Sequence, residues 1–219
     1  FLEQNVALLE LHGAAAGIGC GWFEYPSGAF RAQRWRARGI PEGLMAISPD
    51  TTAELLFAIL GYLSASTVLA RSKALRRWGG FYERHCLYGE DMTLWLKVLL
   101  NEPWYFHLSP LAKLDFQASQ LCRNYRRARP IEPFLLDPAI LRNVCPQALI
   151  PLLERLIKTF ACKTAAVLGY WGEWRQARQL VTRFLTLRDW RTRLFLAAVL
   201  SSSPIIVPIA WLARRFVHR

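Results

Sequence analysis

The hydrophobic pattern of this chain changes character between Phe116 and Pro138. Up to Phe116, short apolar runs bounded by Gly, Pro and polar clusters alternate with stretches of helical spacing. From Pro138 onward no strand-like run appears, and only helical spacing remains. The charge divides in the same place. Residues 1–120 hold 11 Lys and Arg against 11 Asp and Glu, and residues 121–219 hold 17 against 5, so the whole net charge of +12 belongs to the second part. The expected architecture is therefore a mixed α/β domain over 1–120, a basic linker over 121–145 and a helical, basic extension over 146–219. With 219 residues, 53% of them hydrophobic, the chain can bury one sizeable core with a small helical appendage.

Within the first part, Leu2 to Leu11 carries helical spacing that stops at Gly13, and Ala14 to Trp22 reads as a buried strand whose Gly17, Gly19 and Gly21 admit close neighbours. Glu24 to Pro49 has no regular period and reads as a long surface excursion with an arginine cluster at Arg31, Arg34, Arg36 and Arg38. Thr51 or Thr52 caps a helix running to Tyr62. A short strand at Ser66 to Ala70 and a brief helix at Ser72 to Trp78 follow. Glu90 to Leu100 forms an amphipathic helix with two carboxylates at its N-terminus. Trp104 to Leu108 and Leu111 to Phe116 read as two strands split by Ser109-Pro110. Further helices are expected at about Gln147–Tyr170, Trp174–Leu187, Trp190–Leu200 and Ile205–Val217, with a helical-hairpin character around Gly169 and Gly172.

Cys20, Cys86, Cys122, Cys145 and Cys162 are odd in number and widely spaced, which favours neither a disulfide framework nor a zinc cluster and suggests a reducing compartment. The chain opens without an initiator Met, in what looks like the first turn of a helix, and is expected to be a fragment. It shows no secretory leader, so export is not implied.

The sharpest chemical signal is Trp78-Gly79-Gly80-Phe81-Tyr82-Glu83, then Tyr88-Gly89-Glu90-Asp91, then Leu94-Trp95-Leu96-Lys97. The bland reading of Glu90 and Asp91 is that both carboxylates only complement the free amides of a helix start. The combined run resembles family 2 glycosyltransferases, in which a Gly-Gly-Phe turn leads to Gly-Glu-Asp and a helix of the type Leu-Trp-Leu-Arg. A sugar hydroxyl is a weak nucleophile, and a carboxylate at hydrogen-bond distance, about 2.6–3.2 Å, can take its proton in the transition state. On this resemblance Asp91 has that task, and Glu90 beside it could hold a second hydroxyl. The resemblance implies an inverting enzyme with a GT-A fold, of which this chain is the acceptor-side half. It implies Asp91 as catalytic base and Glu90, Gly89, Tyr88, Gly80 and Trp95 as substrate-binding residues, although Trp95 on residue pattern alone reads as core. The Phe1-Leu2-Glu3 opening resembles the helix after the family's Asp-x-Asp metal motif, and Ser66 to Arg71 the strand before its Gly-Gly-Phe turn.

The chain departs from the family in three respects. It contains no Asp-x-Asp, so the resemblance assigns the divalent ion, Mg²⁺ or Mn²⁺, to ligands outside this chain. Leu114-Asp115-Phe116-Gln117 lacks the family's His, and His107, on an aromatic stretch, reads as packed. Lys97 replaces the usual Arg. The implied partners are a nucleotide-sugar donor and a glycan or lipid-linked acceptor, in cell-envelope polysaccharide synthesis on the cytoplasmic side.

Leu194 to Ala213 is free of charge for 20 residues, a length that could span a bilayer, but Ser203-Pro204 and Pro208 favour two short helices. With Arg188, Arg191, Arg193, Arg214, Arg215 and Arg219 around them, these helices suit an anionic membrane surface. No nucleic-acid recognition motif or stacking platform is visible, and Arg123, Arg126, Arg127 and Arg129 read as a solvated face. The rival function is a non-catalytic, membrane-peripheral helical interaction module.

Overall fold

Gly17, Gly19 and Gly21 sit on the strand around which the sheet is built. In a computed structural model, which describes residues 1–30, 32–84, 88–115, 117–118, 131–186 and 190–200, the first part carries α1 (Leu2–Leu11), β1 (Gly17–Tyr25), β2 (Ala29–Phe30), α2 (Ala32–Arg36), β3 (Gly43–Met45), α3 (Ala53–Tyr62), β4 (Val68–Ala70), α4 (Ser72–Arg77), α5 (Glu90–Leu99) and β5 (Trp104–Asp115). Helices follow as α6 (Pro133–Leu136), α7 (Ala139–Arg142), α8 (Ile150–Tyr170), α9 (Trp174–Phe184) and α10 (Trp190–Leu200). The fold is mixed α/β with several C-terminal helices.

Strand β1 is the centre of a mixed sheet. It runs parallel to β5, with Gly17 opposite Trp104 and Tyr25 opposite Asp115. On its other side β4 pairs antiparallel with its start, Ile18 opposite Leu69, and β2 pairs antiparallel with its end, Phe23 opposite Phe30. Beyond β5 lies β3, antiparallel, with Leu44 opposite Tyr105. The first six residues of β1 are buried, and its glycines make that possible. A Cβ on Gly17 would lie 2.6 Å from the Trp104 ring, and one on Gly19 would lie 2.6 Å from Leu63 Cδ2.

Two expectations from sequence are corrected. Trp104 to Asp115 is one strand rather than two, because the irregularity at Ser109-Pro110 is absorbed by a break in register opposite Gly19 and Gly21. There the Leu108 carbonyl projects into the space a Cβ on Gly21 would fill. The stretch from Glu24 to Pro49 is not wholly a surface excursion. It contains β2, α2 and β3, and its Trp35 is buried against Trp22 and Tyr62, with ring centroids 5.6 and 5.5 Å away. Elements of two to five residues are too short to show a period.

Of the described residues, those up to Ala118 and from Glu132 to Leu156 form one compact unit, and Ile131 with those from Ile157 onward form another. Within the first unit α6 and α7, which fall in the expected linker, pack on α5 and bury Phe134, Leu135 and Leu141. Cys20, Cys145 and Cys162 take part in no disulfide, and Cys86 and Cys122 lie outside the described residues. No helix among the described residues is long and apolar enough to cross a membrane. The expected helix at Ile205–Val217 and most of the uncharged run 194–213 lie outside the described residues, as do Arg123, Arg126, Arg127 and Arg129.

Candidate active site

Helix α4 ends in two left-handed glycines, Gly79 at φ 82° and Gly80 at φ 67°. Their amides donate to Arg76 O (3.2 Å) and Leu75 O (3.0 Å), the paired bonds that close a Schellman turn. The Gly-Gly pair is thus the stop of α4. Phe81, the next residue, sets its ring edge-on to Trp95 of α5, 5.8 Å between centroids. Lys97 Nζ donates to the carbonyl oxygen of Trp78 (3.3 Å). The cation therefore satisfies a carbonyl at the end of α4, and this fastens the turn to α5. The Gly-Gly-Phe and Leu-Trp-Leu-Lys segments, separate in sequence, are brought together.

Helix α5 begins at Gly89, whose φ of 84° only glycine adopts readily and which carries no side-chain cap. The first turn is capped from within. Met92 N–H donates to Asp91 Oδ1 (2.7 Å), and Thr93 Oγ1 donates to Gly89 O (2.7 Å). Asp91 is half-buried, and its backbone surroundings include the amide of Ala65 at the start of a single 3₁₀ turn, Ala65–Thr67. Burial pushes the Asp91 carboxyl above the ordinary carboxylate range, the Met92 amide opposes this, and the neighbouring charge of Glu90 raises it further. Glu90 is also half-buried, and its Oε2 has no hydrogen-bond partner among the described residues. Such an orphaned acceptor is costly unless something outside the described residues satisfies it.

Tyr88, half-buried, precedes Gly89 and stays beside the carboxylates along the chain. Trp95 belongs elsewhere. It is 3% exposed and lies edge-on between Phe81 and Trp104, the latter at 5.7 Å, so its role as a substrate-binding residue is corrected to a core role. A ring covered on this scale offers no face to a sugar. Gly80 contributes to the stop of α4, ten residues before Glu90 in the chain.

A third carboxylate was missed by sequence reasoning. Glu132 is 4% exposed and sits at the N-cap of α6, where its Cγ lies 3.5 Å from the position a Gly89 Cβ would take. Glu132-Pro133 is a helix-start signal, but nothing local announces that α6 packs at the entrance to α5. His107 is packed, as its sequence context indicates. Its Nε2 is 2.9 Å from Asn5 Oδ1, and burial holds its pKa below the usual histidine value.

The described residues offer no group of three His, Cys, Asp or Glu side chains that could hold a metal ion. Asp91 and Glu90 do not fit a divalent-ion site by themselves. What the arrangement provides is proton acceptance: a half-buried carboxylate with a raised pKa, at a positive helix end, beside a second carboxylate with an unused oxygen. No protein-family model, curated protein or solved structure matches the chain.

Proposed function

We propose that this chain is the acceptor-side half of a GT-A type, inverting glycosyltransferase that moves a sugar from a nucleotide-activated donor to a hydroxyl of a glycan or lipid-linked acceptor. The observation that carries the reading is Asp91. Its carboxyl is half-buried at the N-terminus of α5 with a pKa raised by burial, so it is a stronger base than a solvated carboxylate. Glu90 Oε2 is buried and without a partner among the described residues, so it accepts from a second sugar hydroxyl only once the atoms covering it give way. The order strand β4, helix α4, Gly-Gly stop, helix α5 supports the resemblance in its local geometry.

In this reading Asp91 Oδ2 accepts the proton of the attacking hydroxyl while Oδ1 stays on the Met92 amide, which holds the carboxylate in one orientation. Gly89 sets the angle at which α5 presents both carboxylates. The donor's diphosphate and any divalent ion belong to residues outside this chain, and no step here depends on them. Helix α1 leaves Leu2 and Val6, one turn apart, exposed while burying Asn5, an apolar pair that suits coverage by more of the same domain. The test is sugar transfer by the protein together with its nucleotide-binding part. Asp91→Asn is expected to lower kcat by about 10²–10⁴-fold with donor binding retained. Near-normal turnover in that variant removes Asp91 from the role and favours the non-catalytic interaction module.

A further inference from the structure

The helical unit keeps three large aromatic side chains in water at one corner. Helix α8 ends at Tyr170, and the turn to α9 is Trp171-Gly172-Glu173. Gly172 has φ 82°, its amide donates to Gly169 O (3.1 Å), and the Glu173 amide donates to Leu168 O (2.8 Å). This is a second Schellman turn, and it fixes the corner rather than leaving it to fluctuate. Tyr170 is 47% exposed, Trp171 38% and Trp174 49%, with the Tyr170 and Trp171 rings edge-on at 5.4 Å. The apolar stripe of α9, Ala177, Leu180, Val181 and Phe184, is already buried. The aromatics at the corner are therefore surplus to the core, and a grouped apolar surface of this kind marks an interaction site.

Two observations identify the partner. The unit exposes Lys163, Arg175, Arg178, Arg191 and Arg193 but, among its described residues, a single carboxylate, Glu173. The surface therefore complements a dense anionic partner. The second is where the chain goes next. A Cβ on Gly169 would lie 2.8 Å from both Val199 Cγ1 and Val199 O, so the end of α10 lies against the end of α8, at the aromatic corner. From there the sequence continues uncharged to Ala213 and includes Ile205, Ile206, Val207, Ile209 and Trp211. An apolar continuation is wasted on a phosphate backbone in water, whereas a bilayer accepts both parts: aromatic rings at headgroup depth and arginines on lipid phosphates.

We propose that the corner formed by Tyr170, Trp171 and Trp174 docks the protein on an anionic phospholipid bilayer surface, with Arg175 and Arg178 on the headgroups. The inference stands independently of the sugar-transfer reading, since neither Asp91 nor α5 takes part in it.

The experiment is co-sedimentation of the full chain with unilamellar vesicles of phosphatidylcholine alone or of phosphatidylcholine and phosphatidylglycerol in equal parts. Binding to the anionic vesicles, weakened by salt, is expected. Trp171→Ala with Trp174→Ala should reduce that affinity at least tenfold, and Arg175→Glu with Arg178→Glu should do so separately. All four positions are exposed, and an unchanged circular-dichroism spectrum and unfolding midpoint show that the fold is intact. Absence of binding to anionic vesicles overturns the proposal, as does binding that the tryptophan pair leaves unaltered. Displacement from vesicles by an equal mass of single-stranded oligothymidine, with the same tryptophan dependence, also overturns it and assigns the corner to nucleic acid.

Discussion

The hydroxyl of Tyr62, at the end of α3, donates to the carbonyl oxygen of His107 at 2.6 Å, in the stretch of β5 where pairing with β1 breaks register. A carbonyl that loses its ladder partner at an irregularity must find another, and the phenol is that partner. Burial pushes the Tyr62 pKa far above its ordinary value, so the hydroxyl keeps its proton and the bond persists through neutral and mildly alkaline solution. Tyr62→Phe keeps the ring contacts with Trp22 and Trp35 and removes only the donor. It should lower stability by about 1–3 kcal/mol, read as a fall in the urea midpoint with an unchanged slope.

The same irregularity makes Gly21 irreplaceable. A Cβ there would run into the Leu108 carbonyl oxygen, which is backbone and cannot swing aside as a side chain would. Gly21→Ala should cost about 3 kcal/mol through forced displacement of β5. Gly61→Ala, at a helical position where a Cβ meets nothing within 4 Å, should be neutral or slightly stabilising in the same unfolding assay.

These two residues also show what could be read from sequence. Local signals were legible because their partners are local: Thr52 caps α3 by accepting from Leu55 N–H at 3.1 Å, Gly79-Gly80 stops α4, and Gly172 turns α8 into α9. The unity of β5 was not legible, since Pro110 argues against a continuous strand unless Gly21 and Tyr62 are known to accommodate it. Glu132 was hidden for a similar reason: its burial depends on α6 reaching Gly89, a contact with no trace in either neighbourhood. At the candidate site the carboxylates, their helix and the core character of Trp95 on residue pattern were legible, whereas the rings that cover Trp95, Phe81 and Trp104, emerged only from packing.

Trp95 gives a clean separation of packing from binding. Trp95→Ala should cost about 3–5 kcal/mol of stability, because it empties the space between Phe81 and Trp104. Trp95→Phe should recover most of that and leave the acceptor KM unchanged. A rise in KM with stability intact would return Trp95 to the binding surface.

Gly89 tests whether the angle of α5 matters to the chemistry. A Cβ there finds ordinary contacts, 3.4 Å to Pro133 Cδ and 3.5 Å to Glu132 Cγ, so the penalty comes from the left-handed backbone. Gly89→Ala should cost about 1–2 kcal/mol, and Gly89→Asn less, since Asn tolerates that conformation. If Gly89 sets the presentation of Glu90 and Asp91, transfer activity should follow the same order, glycine above asparagine above alanine.

Asp91 should show opposite effects on stability and turnover. Its folded-state pKa lies above the ordinary value of 3.8, so the folded protein binds that proton more tightly than the unfolded chain does. Below 3.8 both states are protonated and the side chain carries no penalty. As pH rises through the folded-state pKa, the ionised carboxylate is held in a half-buried site next to Glu90, and the fold loses stability relative to acid. Asp91→Asn removes that charge while keeping an oxygen for the Met92 amide. At neutral pH the variant should therefore unfold at a higher temperature than the parent, with the difference shrinking on acidification. Its transfer rate should collapse, and the acid limb of the parent's pH–rate profile should disappear. A carboxylate that only caps α5 would leave the rate untouched, and a loss of stability on neutralisation at pH 7 would show that capping outweighs the burial of the charge.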